Sequence, residues 1–146
     1  ISLHNFSFLK SRPITKSMLA WWAFFEKDQA VLNQESIFEI EHIFPKKRQE
    51  QERSLSDSRK LELLGNKSLL EKKINIRASD YRFSDKVKYY QGFENAKGQK
   101  KPGTKIAELL IMSDTKQDFN EQDIEYRNNE ILNSFINFLR QENLLN

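Results

Sequence analysis

The last quarter of the chain sets the first constraint on any fold. Ile124, Ile131, Leu132, Phe135, Ile136, Phe138 and Leu139 recur at steps of three and four, which predicts a long helix over about 121–142 with one apolar face. The rest of the chain must cover that face. Asn120, with Asp123 three residues on, resembles a capping arrangement and fixes where the helix begins. A second such face runs through Met18, Leu19, Trp22, Phe25 and Val31 and predicts an N-terminal helix over about 15–31, with Pro13 just ahead of it. Trp21 and Trp22 are read as core, because aromatics at helical spacing are mostly packing residues. With 146 residues there is room for one substantial core and not two, so a single domain over 1–146 is expected.

Hydrophobic residues make up 38% and charged residues 31% of the chain, with only 4 Gly and 3 Pro, which excludes disordered and fibrous classes. The longest apolar run, Met18 to Phe25, falls well short of the roughly 20 residues a membrane-spanning helix needs, so no membrane partner is expected. Cysteine is absent, which removes disulfide frameworks, thiolate nucleophiles and sulfur-ligated zinc and makes a cytoplasmic location the default expectation. The chain begins at Ile1 without a methionine, and we expect it to be the C-terminal part of a longer one.

Net charge is only +3, but its distribution is uneven. Residues 67–105 hold 11 basic and 4 acidic groups, whereas residues 106–146 hold 3 and 8. A basic middle is either a solvated lysine-rich surface or a footprint for a polyanion.

Ser36 to Ile43 has a partial period of two and predicts a strand that Pro45 ends. Residues 46–60 have almost no apolar side chain and read as an exposed loop. Leu61, Leu63 and Leu64 lead into Gly65-Asn66, a turn dipeptide that tolerates positive φ, and 67–70 is expected to return as a strand beside the first. A helical turn over 71–76 follows, then a helix over 86–91 with Ser84 as candidate N-cap and Gly92 as its stop. Residues 94–104, rich in Lys, Gly and Pro, read as a linker, and 106–112 as a short apolar segment. The core of this strand–strand–helix frame spans about 36–92.

The chemistry-bearing residues are Glu41 and His42 at the end of one strand, Asn66 at the second turn and Asn75 nine residues later. Singly each is ordinary. A strand-end histidine is commonly a surface residue, and Gly-Asn is a common turn. Glu41 and His42 point to opposite faces of a regular strand, so both serve one site only where the strand ends. The following helix can bring Asn75 across to Glu41, and two oxygen ligands with several waters suit Mg²⁺ or Mn²⁺.

Glu41-His42-Ile43-Phe44-Pro45, then Leu64-Gly65-Asn66-Lys67-Ser68-Leu69-Leu70, Asn75, Phe83, Lys86 and Tyr90, and finally Ile124 with Arg127, resemble the HNH, or His-Me finger, nucleases. More narrowly, the pattern is similar to the HNH-like C-terminal domain of GmrSD-type restriction endonucleases, over roughly residues 15 to 140. The resemblance implies an α+β fold with a ββα-metal core between the two flanking helices. It implies that His42 is the general base activating water, that Glu41 and Asn75 hold a Mg²⁺ or Mn²⁺ ion, and that Asn66 braces the loop positioning His42. An imidazole titrating near neutrality and a Lewis-acidic cation suit those roles. Many HNH nucleases carry histidine where this chain has Asn75. DNA is then the implied substrate, restriction of foreign or modified DNA the implied purpose, and an N-terminal nucleotide-hydrolysing domain the implied partner. Neither that domain's motif nor a Walker-type Gly-x-x-x-x-Gly-Lys occurs here.

The basic middle acquires a purpose in that setting. Lys72, Lys73, Arg77, Arg82, Lys86 and Lys88 flank Asn75 and are expected to grip phosphates, which position a substrate without reading its sequence. His4 has no partner spacing, and Arg127 is expected to pair with Asp123 or Glu130 on its own helix. The competing readings are an inactive nucleic-acid-binding module of the same fold, a ribonuclease or nicking enzyme, and a structural domain docking through its acidic last helix.

Overall fold

The computed structural model describes residues 12–27, 29–30, 32 and 37–143, so His4, Val31 and Ser36 lie outside the described residues. The first helix, α1 (Arg12–Trp21), carries Pro13 in its first turn, where a missing N–H leaves no bond unmade, and continues as a π-helical turn over Trp22–Glu26. It thus starts earlier than its apolar spacing suggests and departs from α geometry at Trp22. Trp22 is buried, while Trp21 is half-buried and packs edge-on against Phe135, with ring centroids 5.1 Å apart.

Strand β1 (Phe38–His42) ends where Ile43 and Phe44 turn into the core. The segment expected as a loop instead opens with α2 (Lys46–Glu52), a run of good helix formers stopped by Arg53 in the left-handed region at φ 50°. It lacks an apolar face because a buried guanidinium replaces one. Arg48 donates to both carboxylate oxygens of Asp118 at 2.9 and 2.8 Å, to the Phe119 carbonyl at 3.1 Å and to Glu52 at 2.8 Å, and its head lies over the Phe44 ring. Two 3₁₀ turns, Ser58–Glu62 and Leu64–Asn66, then lead into β2 (Lys67–Glu71).

The two strands pair antiparallel, with Phe38 opposite Glu71, Glu41 opposite Ser68 and His42 opposite Lys67. Helix α3 (Lys72–Ala78) follows β2 directly, and α4 (Phe83–Gln91) starts one residue ahead of Ser84, with Arg82 at the capping position. Residues 94–104 are a hairpin and not a linker. In it, β3 (Gly92–Glu94) pairs with β4 (Lys100–Pro102) around a turn in which Asn95 Oδ1 accepts from the Lys97 and Gln99 amides. The apolar segment after it is helical, α5 (Ala107–Thr115), and the last helix, α6 (Glu121–Gln141), begins with the expected capping box on Asn120 and Asp123.

The architecture is α+β, with two two-stranded antiparallel sheets among helices. Helix α6 closes it. Gly65 packs so tightly on α6 that a Cβ there would sit 2.0 Å from the Ile124 carbonyl oxygen, and its amide donates to Asn128 at 3.0 Å. The glycine is therefore required by close approach and not by positive φ, which the turn dipeptide had suggested. Arg127 departs from its expected partners too. It is buried, donates to the Leu64, Gly65 and Lys67 carbonyls at 3.1, 3.0 and 2.6 Å, and pairs with Glu108 of α5 at 2.8 Å. Among the described residues no helix is long and apolar enough to cross a membrane.

Candidate functional site

Where β1 ends, one cavity of about 480 Å³ is lined by Glu41, His42, Glu62, Asn75 and Asp80. Strand, 3₁₀ turn and α3 each contribute, so residues more than thirty positions apart in sequence meet. Glu41 and His42 alternate in facing along β1, yet both reach this cavity because the strand stops beside them.

His42 is held from both ends. Its backbone carbonyl accepts from the Lys86 ammonium at 2.7 Å, and its ring Nε2 lies 3.3 Å from each oxygen of Glu62. Lys67, directly opposite His42 on β2, places its ammonium 2.9 Å from the same Glu62. Burial alone would raise the Glu62 pKa, but the hydrogen bond and charge of Lys67, with His42, hold it below the usual carboxylate value. Glu62 thus remains an anion facing the imidazole. The sequence reading did not single out Glu62, although it is the one charged residue in the apolar run Leu61 to Leu64.

Asn66 has no exposed surface. Its Oδ1 accepts from the Phe44 amide at 2.7 Å, its Nδ2 donates to the Phe44 and Leu61 carbonyls at 2.9 and 3.0 Å, and its own carbonyl accepts from Ile43 at 2.9 Å. All of these bonds fasten the segment just after His42 to the turn ahead of β2.

Glu41 is 3% exposed. Tyr90 donates to its Oε2 at 2.7 Å, and the Lys86 ammonium lies 3.2 Å from the same oxygen. Burial raises the Glu41 pKa above the ordinary value despite the opposing pull of Lys86 and Tyr90, and burial lowers that of Lys86. Among the described residues no cluster of three or more His, Cys, Asp or Glu side chains is arranged to hold a metal. Glu41 and Asn75 both line one polar cavity, and Mg²⁺, which retains most of its waters, needs only one or two protein oxygens.

The six cations expected to grip phosphates have separate fates. Lys72, Lys73 and Arg77 line a groove on another face of α3. Lys86 is a correction: fully buried, with its ammonium committed to Glu41 and the His42 carbonyl, it offers nothing to a phosphate at the surface. Arg82 pairs with Glu52, and the Lys88 ammonium lies over the rings of Tyr89 and Phe93, 4.9 and 5.8 Å from their centroids.

A family model described as GmrSD restriction endonucleases, C-terminal domain, matches residues 4–134. Comparisons with curated proteins and with solved structures found no match.

Proposed function

This chain belongs to the family of GmrSD restriction endonuclease C-terminal domains, and from that premise we propose that it is an HNH-type nuclease domain that hydrolyses phosphodiester bonds in DNA. One observation supports this most. The His42 ring is fixed at Nε2 by an ionised Glu62 and shares a cavity with Glu41 and Asn75. With Nε2 so engaged, Nδ1 is the nitrogen that takes a proton from the attacking water. Asn66 and Lys86 hold the backbone at His42 and just after it, which keeps the base from drifting off the line of attack. Glu41 and Asn75 would hold Mg²⁺ or Mn²⁺, whose Lewis acidity stabilises charge on the phosphate and the departing oxygen. The family further supports an N-terminal nucleotide-hydrolysing domain as partner and foreign DNA as target.

The test is cleavage of supercoiled plasmid and of a single-stranded RNA by the purified chain, with Mg²⁺ or Mn²⁺ and with chelator. Loss of supercoiled plasmid only in the presence of metal is expected. A second reading, a binding module without chemistry, is favoured by the Lys86 ammonium beside Glu41, which already neutralises the carboxylate a cation would use. It requires tight DNA binding and no cleavage with either metal.

A further inference from the structure

Helix α3 also walls a second, larger groove of about 560 Å³, at the other end of the β1–β2 pair from His42. Lys72, Lys73 and Arg77 line it from α3, and Lys100, Lys101 and Lys105 from β4 and the segment after it. None of these six cations makes an ion pair among the described residues, although the chain carries 21 acidic groups. Glu94 lies opposite Lys100 in the hairpin register without an ion pair joining them. The acidic residue in the lining, Glu71, is occupied: its oxygens accept from the Thr104 hydroxyl at 2.6 Å and the Lys105 amide at 2.8 Å. It anchors the hairpin exit to the end of β2, forms no ion pair with the lysines among the described residues and leaves the six cations in excess over the single carboxylate of the lining.

The hairpin is held rigidly as well. The Thr104 amide donates to the Tyr90 carbonyl at 2.7 Å, and Gly103 lies so close that a Cβ would be 2.5 Å from that same carbonyl oxygen. Tyr90 is the residue whose hydroxyl bonds Glu41, so the groove and the His42 cavity are fixed to one element. Six unpaired cations held together repel one another, and that cost is relieved by a polyanion that replaces its counterions with them. The floor between them, Ile74 and Pro102, suits the apolar faces of sugars in a backbone. Phe38 and His42 are four strand steps apart, ~13 Å at ~3.3 Å per residue.

We propose that this groove is a second anchoring site for the DNA backbone, holding phosphates away from the one presented to His42, with the β3–β4 hairpin as its outer wall. It rests on the DNA reading above and adds to it residues that no catalytic role requires.

The experiment compares the whole chain with its Lys100→Ala/Lys101→Ala/Lys105→Ala variant in binding a fluorescent 20-base-pair duplex, without metal, over a series of salt concentrations. Each phosphate contact contributes about 0.9 to the slope of log affinity against log salt, so the variant's slope should be shallower by about 2 to 3. Lys116→Ala, which removes a cation outside the groove that pairs with Asp123, should leave the slope unchanged. An unchanged slope in the triple variant, or equal losses in both variants, overturns the proposal. The outcome separates from the catalytic reading: a shallower slope with no cleavage by the parent keeps the groove and sinks the nuclease, whereas cleavage with an unchanged slope does the reverse.

Discussion

Asn66 and Glu62 act on the same imidazole by different means, and their variants should differ accordingly. Asn66 satisfies one buried amide and two buried carbonyls, so Asn66→Ala leaves three polar groups unpaired in the core. A loss on the order of 3 kcal/mol is expected, read from the urea midpoint at constant slope. Glu62 sits at the surface end of the site, and Glu62→Gln removes the charge that fixes the His42 ring and pairs with Lys67. Its cleavage rate should fall about tenfold or more, and the urea midpoint should fall as well, because the buried Lys67 ammonium loses its partner. Of these residues the sequence exposed Glu41, His42 and Asn66, which stand at a strand end or turn, while Asn75, in the middle of α3, stood out only through the family pattern. Glu62 was hidden in an apolar run, and the burial of Lys86 was invisible because a lysine on a helix looks the same whether its ammonium meets solvent or a carboxylate.

Elements were legible in proportion to their own periodicity. Helix α6 and its capping box follow from spacing and one Asn–Asp pair, and the β1–β2–α3 order from alternation and a turn dipeptide. Helix α2 was not legible, since a buried Arg48 ion pair with Asp118, seventy residues distant, stands in for its apolar face. Nor was the β3–β4 hairpin, whose strands are three residues each, with two lysines in β4. The junction of the Leu64–Asn66 turn with α6 gives an element-scale expectation. At Gly65 a methyl group meets helix backbone and not a flexible side chain, so Gly65→Ala must separate the turn from α6. It should cost at least about 2 kcal/mol in chemical denaturation, against the few tenths seen for a glycine in open space.

Across the whole molecule, Glu108 ties three distant pieces together. Its carboxylate accepts from Trp22 Nε1 at 3.0 Å and from Arg127 at 3.0 and 2.8 Å, joining the π turn after α1 to α5 and α6. Burial alone would raise its pKa, but the charge and hydrogen bonds of Arg127, with Trp22, hold it below the model-peptide value of 4.5. A carboxyl whose folded pKa is depressed stabilises the fold above its unfolded pKa, and that contribution disappears as pH falls through the folded value. Glu108→Gln should therefore lose about 3 kcal/mol at neutral pH and show a flatter decline in stability below about pH 4.5 than the parent, measured by urea unfolding across pH. Charge is likewise partitioned at this scale, with a basic middle segment around α3 and the hairpin and a last segment in which acidic groups outnumber basic ones 8 to 3.

The assignment of His42 as the base is tested most directly by single-turnover plasmid cleavage with saturating Mg²⁺, comparing the parent chain with His42→Ala at matched DNA occupancy. The variant should bind DNA as the parent does and cut about 10² to 10⁴ times more slowly. Cleavage by His42→Ala within a few-fold of the parent would place the chemistry elsewhere and contradict the site described for this fold.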